Sequence, residues 1–174
     1  NDYDYIYTRE KLATLAGKKL HGKRNHIARF KDSGDWSYEP MTAENVEECR
    51  TMTYTWIHMR EEKWNEEMNQ EISVLHEAFD HMQELGLVGG VLRRDGQIVA
   101  FSIGERLNSE TFVVHFEKAY PDLQGAYPMI NQQFVLHECE GYAYVNREED
   151  TGDPGLRKAK LSYYPDILLP KYEL

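Results

Sequence analysis

The chain contains 174 residues, 41 % of them hydrophobic, which is enough to build one globular domain without metal or disulfide support. Thirty acidic residues against 20 Lys and Arg give a net charge of -10, which argues against wholesale binding to a nucleic-acid backbone. The two cysteines, Cys49 and Cys139, match no metal-ligand spacing and indicate a reducing compartment. No apolar run approaches the roughly 20 residues of a membrane span, and no leader precedes the first helix, so we expect a cytoplasmic protein.

The charge is unevenly distributed along the chain. Residues 1–31 hold eight Lys and Arg against three acidic residues, which gives a net charge of +5. Residues 39–84 hold three Lys and Arg against twelve acidic residues, which gives a net charge of -9. We therefore divide the chain into a basic N-terminal helical arm, residues 1–34, and a single domain, residues 35–174. A cationic arm on an acidic protein is either solvated or faces an anion, and both interpretations stay open.

Apolar spacing predicts three helices in the first half of the chain. The first covers residues 8–20, with Thr8 as a suitable N-cap. A short strand over residues 36–39 follows, and Thr42 then begins the second helix. The third helix covers residues 67–85, because its apolar side chains recur at helical spacing and a glycine follows as a C-cap.

A β-hairpin comes next. Residues 87–94 and 97–106 are apolar strands joined by Asp95-Gly96, the dipeptide that favours a tight type I′ turn. Residues 111–118 are rich in β-branched and aromatic side chains, which predicts a third antiparallel strand.

Helices and strands alternate in the C-terminal part. We predict a helix over residues 124–140, a strand over 142–145, a helix over 155–162 and a strand over 166–172. The order from Trp36 is therefore β-α-α-β-β-β-α-β-α-β. It indicates an α/β (α+β) fold, in which a mixed, mostly antiparallel sheet is flanked by helices on both faces.

Several short segments carry a resemblance to a known family. Residues 144–152, 155–160 and 162–165 resemble the C-terminal signature of the DUF2156 family, whose members are similar to the C-terminal domain of phosphatidylglycerol lysyltransferase. The resemblance implies the N-acetyltransferase (GNAT) fold, transfer of an acyl or aminoacyl group to an amine or hydroxyl, and an N-terminal GNAT-like half in the same protein. Further matching pieces are residues 23–26, 89–90, 103–106, 115–118 and 125–128, with Asn131.

The resemblance implies either an acyl-CoA or an aminoacyl-tRNA as donor, and a small molecule or a lipid headgroup as acceptor. GNAT enzymes hold the CoA pyrophosphate on backbone amides at the start of the central helix, which assigns Gly125 and Ala126 to cofactor binding here. Asp122 places negative charge at this turn, and Tyr127 adds bulk where the backbone must come close. The sequence therefore assigns no firm cofactor and favours an aminoacyl-tRNA donor, or an inactive pocket, over CoA.

Four residues are assigned to catalysis. Strand alternation places His115 and Glu117 on one sheet face, where an imidazole and a carboxylate can accept a proton. Glu105 on the neighbouring strand is a further candidate for this face. The competing interpretation is a hydrogen-bonded pair that fixes strand register. Asn146 leaves the end of a strand and can donate to a carbonyl oxygen, and Lys160 can contact a phosphate or an oxyanion.

Six residues are assigned to substrate binding. Arg147 can clamp a carboxylate or a phosphate with two parallel hydrogen bonds, and the alternative is an internal network with the neighbouring acids. The others belong to the strand face, the basic arm or the matched segments: Glu105, Arg24, Asn25, Tyr163 and Asn131.

Three functions stay open at this point. The first is the acyl or aminoacyl transferase, and the second is a catalytically silent GNAT-fold module that binds a ligand or a partner. The third is direct RNA binding by the basic arm, which requires one continuous positive face over residues 18–29. The histidines of the helices lie apart from one another on polar or mixed faces, so we predict no metal site.

Overall fold

The computed structural model describes residues 2–171, which contain seven strands and six α-helices. Two short 3-10 turns span Lys18–Leu20 and Glu61–Lys63. The strands and helices, in chain order, are β1 (Tyr3–Thr8), α1 (Arg9–Thr14), α2 (His21–Asp32), β2 (Trp36–Pro40), α3 (Val46–Met59), α4 (Glu66–Asp80), β3 (Val88–Arg94), β4 (Gln97–Arg106), β5 (Thr111–Ala119), α5 (Ala126–Glu138), β6 (Tyr144–Asn146), α6 (Pro154–Leu161) and β7 (Ile167–Pro170).

The strands form one seven-stranded sheet in the order β2-β3-β4-β5-β6-β1-β7. Every neighbouring pair is antiparallel except β5 and β6, which run parallel. The predicted mixed, mostly antiparallel sheet is therefore confirmed. The parallel pair is joined through α5, as expected for a crossover that must return to the same end of the sheet.

Helices cover both faces of the sheet, as predicted. Helices α1, α2 and α5 pack on one face around buried side chains such as Leu12, Phe30 and Phe134. Helices α3 and α4 pack on the other face around Trp56 and Leu75. We call these the α5 face and the α4 face.

The first 34 residues belong to this core, which differs from the separate arm expected from their charge. Strand β1 lies between β6 and β7, and Tyr7 of β1 and Phe30 of α2 are both fully buried. The sequence analysis missed β1 because its pairing partners are more than 130 residues away in the chain.

The predicted helix over residues 8–20 is interrupted. Thr8 caps α1 as expected, its hydroxyl accepting from the Lys11 amide at 3.2 Å. The helix then ends because Leu15 adopts a left-handed backbone conformation, with φ of 51°. Four of the eight cations predicted to lie on an arm belong instead to the separate helix α2: Lys23, Arg24, Arg29 and Lys31.

Two further boundaries differ from the predictions, and one turn agrees. Helix α4 ends at Asp80 rather than at residue 85. The final strand ends at Pro170, while the predicted end at Tyr172 lies outside the described residues. The hairpin turn has positive φ at Asp95 (52°) and Gly96 (85°), which is the geometry of the predicted type I′ turn.

A β-bulge interrupts β5 at His115. Ile103 of β4 pairs with Phe116, but the next residue, Gly104, pairs with Val114, so that His115 is an extra residue on β5. Such a bulge shifts the alternation of side chains by one position, and every residue beyond it changes face.

The bulge is visible in the packing on either side of it. Val114 packs into the cluster on the α5 face, whereas Lys118 forms an ion pair with Glu71 of α4 on the opposite face. Gly104 makes the bulge possible, because a Cβ at this position would overlap the carbonyl oxygen of Val113. The bulge thus decides which β5 side chains can meet each other.

Candidate functional site

Strands β5 and β6 separate after three paired residues. Beyond Asn146 the chain turns toward β1, where the Arg147 amide donates to the Tyr5 carbonyl at 2.8 Å. Strand β5 continues without this partner as far as Ala119. A gap therefore opens in the sheet, and the side chains of Glu117 and Arg147 meet across it.

The carboxylate of Glu117 is the centre of the site. Its Oε1 accepts from Nη2 of Arg147 and its Oε2 accepts from Nδ2 of Asn131 on α5, both at 3.0 Å. The side chains of Arg147 and Glu117 are only 10 % and 14 % exposed. Burial alone lowers the pKa of Arg147, but the Glu117 carboxylate outweighs burial and the pKa stands above its ordinary value. The guanidinium is therefore charged.

Two polar atoms beside this carboxylate have no partner. Nη1 of Arg147, a donor, and Oδ1 of Asn131, an acceptor, are both buried and make no hydrogen bond within residues 2–171. An unsatisfied buried polar atom costs about 1 to 3 kcal/mol, so proteins rarely leave two of them side by side. The arrangement fits a ligand that carries a donor and an acceptor close together.

Lysine and tyrosine side chains complete the site on the α5 face. Nζ of Lys23, on α2, lies 4.4 Å from the ring centroid of Tyr163, and Cζ of Arg147 lies 4.9 Å from the same centroid. The Arg147 Cζ also lies 5.7 Å from the Tyr7 ring. Burial lowers the pKa of Lys23, and the nearby charge of Arg147 lowers it further. Four of the predicted residues thus meet in one cluster: Glu117, Arg147, Asn131 and Tyr163.

Lys23 and Tyr7 were missed as site residues by the sequence analysis. Lys23 lies four residues before Ile27, a buried residue of α2, so helical spacing places both on the inward face of that helix. That signal was unusable because α2 itself was not predicted. The inward position of Tyr7 follows from the alternation of side chains along β1, and that strand was not predicted either.

Lys160 binds the backbone of the loop that carries Arg147. Its Nζ donates to the carbonyl oxygens of Arg147 and Glu149, both at 2.6 Å, and the residue is 7 % exposed. Burial lowers the pKa of Lys160 to about 8, with a further contribution from the charge of Arg147. The structure therefore gives Lys160 the task of holding the loop after β6, in place of the predicted contact with a phosphate or an oxyanion.

Asn146 also holds this loop. Its Nδ2 donates to Asp4 Oδ2 at 3.1 Å, and its Oδ1 accepts from the Glu148 amide at 2.8 Å. The residue is 3 % exposed. These bonds differ from the predicted donation to a substrate carbonyl.

His115 lies on the α4 face, because the bulge separates it from Glu117. The predicted common face for these two residues is therefore wrong, and simple alternation fails at the extra residue. His115 Nε2 lies 2.9 Å from Glu105 Oε2, and Nδ1 lies 3.1 Å from Glu148 Oε1. Glu105 does share the face of His115, and neither residue reaches the Glu117 carboxylate.

Two substrate-binding candidates of α2 lie apart from the cluster. Nη1 of Arg24 donates to the carbonyl oxygens of Leu15 and Gly17, at 2.5 and 2.7 Å, and so closes the end of α1. Asn25 is exposed and hydrogen-bonded to His21 at 3.1 Å. Lys23, the residue before Arg24, contacts the Tyr163 ring of the cluster in their place.

The start of α5 differs from the predicted phosphate cradle. Gly125 has a φ of 82°, and a Cβ here would overlap the backbone carbonyl of His26 on α2. Helix packing therefore explains the glycine. Ala126 is fully buried, and its amide already donates to the Leu123 carbonyl at 3.2 Å, which leaves no free amide for a phosphate at that residue.

Neither a metal cluster nor a membrane-spanning helix is found between residues 2 and 171. No group of three or more His, Cys, Asp and Glu in that range is arranged to hold a metal ion. No helix there is both long and apolar enough to cross a membrane. Both cysteines are buried and free.

The whole chain, residues 1–174, matches the family described as phosphatidylglycerol lysyltransferase, C-terminal. The chain belongs to this family. The match covers every residue of the cluster around Glu117, and the family description identifies the matched region as the C-terminal part of these proteins.

Solved structures and a curated relative are also similar to this chain. A conserved protein of unknown function from Bacteroides thetaiotaomicron is 46 % identical, with a TM-score of 0.92, over 97 % of this chain and 57 % of its own. The structure of L-PGS from Bacillus licheniformis shares the fold, with a TM-score of 0.64 and 17 % identity over 94 % of this chain and 56 % of its own.

The curated relative is an uncharacterised protein of Mycoplasmoides gallisepticum. It is 25 % identical over 97 % of this chain and 54 % of its own length. The chain thus spans little more than half the length of the relatives it matches.

Proposed function

We propose that this chain carries the transfer site of an aminoacyltransferase, which moves an aminoacyl group from a charged tRNA to a hydroxyl or amine of a lipid headgroup or a small molecule. The phosphatidylglycerol lysyltransferase family supports a transferase of this class. The rest of the longer protein, with an N-terminal GNAT-like half, is part of the proposal.

The single observation that carries the proposal is the pair of unpartnered atoms beside Glu117. An aminoacyl group presents an ammonium, which donates, and a carbonyl oxygen, which accepts. The ammonium matches Asn131 Oδ1 and the Glu117 carboxylate, and the carbonyl matches Nη1 of Arg147. A simple acetyl group carries no ammonium and would leave the Asn131 oxygen unsatisfied.

The cations of the site fit the chemistry of acyl transfer. Attack on the ester carbonyl places negative charge on its oxygen, and fixed donors aimed at that oxygen stabilise the transition state more than the substrate. Arg147 and Lys23 are positioned for this task around the Tyr163 ring. Arg147 is nearly buried and Lys23 is half-buried, and electrostatic interactions are stronger in such an environment than in water.

The proposal is tested with the longer protein that contains this chain. Purified protein is incubated with charged tRNAs or with CoA thioesters, together with lipid vesicles or small molecules that offer a hydroxyl or an amine as acceptor, and products are identified by mass spectrometry. We expect product only with a charged tRNA. The variants Glu117→Gln and Arg147→Gln should lower kcat/KM by roughly 100-fold or more, because each removes a group that contacts the aminoacyl group.

Glu140→Gln is the matched control, because Glu140 is exposed and lies after α5. We expect it to retain the activity of the unmodified protein. Product from a CoA thioester instead of a charged tRNA would contradict the proposal. The absence of product with both donor classes would favour the silent module.

A further inference from the structure

The imidazole of His115 is held by carboxylates at both ring nitrogens. Glu105 approaches Nε2 from β4, and Glu148 approaches Nδ1 from the loop after β6, at 2.9 and 3.1 Å. A neutral imidazole has one N–H and one lone pair, so it can donate to only one of these carboxylates. Both contacts are hydrogen bonds only when His115 carries a positive charge.

Glu148, the second of these carboxylates, sits in a constrained turn. Its φ is +60°, a left-handed conformation that is uncommon for residues other than glycine. Its amide donates to Asn146 and its carbonyl oxygen accepts from the Tyr5 amide at 3.1 Å. Strained turns of this kind persist only when their surroundings fix them, and the side-chain contact with His115 is one such restraint.

Arg147 precedes Glu148 and points to the opposite face of the sheet. Its amide is bonded to Tyr5, while its guanidinium reaches Glu117 on the α5 face. A rotation of the Glu148 backbone therefore moves the base of the Arg147 side chain. The His115–Glu148 contact on one face is therefore adjacent in the chain to Arg147, whose guanidinium binds Glu117 on the other face.

We propose that His115 is a positioning residue, which in its charged form fixes Glu148 and thereby places Arg147 against Glu117. The proposal deepens the proposed function, on which its kinetic consequences rest. The charged side chains that face the imidazole, among the described residues, are Glu105 and Glu148. Their side chains are 38 % and 34 % exposed, so solvent protons reach the group.

The coupling makes the site sensitive to pH in a defined direction. The hydrogen bond to Glu148 raises the pKa of His115 above its ordinary value, burial opposes this effect, and Glu105 adds to it. The charged form is fully present below pH 6.5 and is lost as the pH rises through the raised pKa. The restraint on Glu148 should therefore weaken on the alkaline side.

The direct test uses nuclear magnetic resonance on the longer protein labelled at histidine and arginine. We expect the ring nitrogens of His115 to titrate together above pH 6.5, and the Nε signal of Arg147 to shift with the same midpoint. In His115→Gln the Arg147 signal should be independent of pH over this range. His58→Gln is the control, since His58 is exposed and bonded to Glu61, and should preserve the titration of Arg147.

Kinetics give the second readout. We expect kcat/KM to fall with the titration of His115, and His115→Gln to lose on the order of 10- to 100-fold at pH 6, because a small displacement of a positioning group has effects of this size. A neutral His115 at pH 6, or an Arg147 signal that does not follow its titration, would overturn the inference. A coupled titration in a protein that is inactive with every donor would instead sustain the inference and defeat the proposed function.

Discussion

The two faces of strand β5 carry charged clusters that differ in burial and in how many of their hydrogen bonds are made. On the α5 face, Glu117 and Arg147 are nearly buried, and two polar atoms in their cluster lack partners. On the α4 face, His115 has a carboxylate at each ring nitrogen, and all three side chains are about a third exposed. A bulge of one residue separates the two clusters.

The difference distinguishes a binding site from a structural link. Leaving a buried donor and a buried acceptor unpaired is unfavourable in the free protein, and binding a complementary ligand recovers that free energy. The His115 cluster has no such deficit and has water as an alternative partner. Charged residues near a gap in the sheet therefore indicate a ligand-binding site when some of their polar atoms lack hydrogen bonds. They indicate a structural contact when all of those hydrogen bonds are made within the protein.

The largest expected effect comes from breaking the buried pair. Arg147→Gln should lower the free energy of unfolding by about 3 to 5 kcal/mol, because it leaves the Glu117 carboxylate buried without its cation. Glu105→Gln, on the exposed side, should cost less than about 1 kcal/mol. Urea denaturation of both variants measures the difference. Equal costs would contradict the contrast between the two faces.

The bulge itself is tested at Gly104. Gly104→Ala should lower the free energy of unfolding by about 1 to 3 kcal/mol, because the added methyl group meets the Val113 carbonyl. Gly22→Ala is the matched control, since nothing lies within 4 Å of a Cβ there and its helix favours alanine. That variant should gain about 0.4 to 1 kcal/mol. A neutral Gly104→Ala would show that β4 and β5 tolerate another register.

A smaller effect is expected in acid from Asp150, which lies in the loop between β6 and α6. Burial raises the pKa of Asp150, but hydrogen bonds from Arg157 and Tyr5 outweigh it and lower the pKa to about 2. The contribution of Asp150 to the free energy of unfolding is fully present above its pKa in the unfolded chain, near 4, and is lost as the pH falls through its folded pKa of about 2.

Asp150→Asn should remove this contribution of about 2 kcal/mol. The measurement is the dependence of Tm on pH between 2 and 5. The control Asp122→Asn, at an exposed side chain, should keep the slope of the unmodified protein. An unchanged slope in Asp150→Asn would show that other carboxylates dominate acid unfolding.

Local patterns predicted much of the fold. The Asp95-Gly96 turn, the Thr8 cap and the two-sided helical cover follow from spacing and residue type, because each depends on neighbours within a few positions. Strand β1 and helix α2 were missed. Helix α2 carries many polar residues, and the apolar and aromatic side chains of both elements have inward positions only because residues distant in the chain pack against them.

Within the candidate site, the sequence alone determined the residue types and the family resemblance, including Glu117, Arg147 and Asn131. It did not determine which of the charged residues face each other. The bulge at His115 decided that, because one inserted residue reverses the face of every later side chain on the strand. A bulge depends on how two strands pair, so only the tertiary structure could place Glu117 beside Arg147 and His115 behind them.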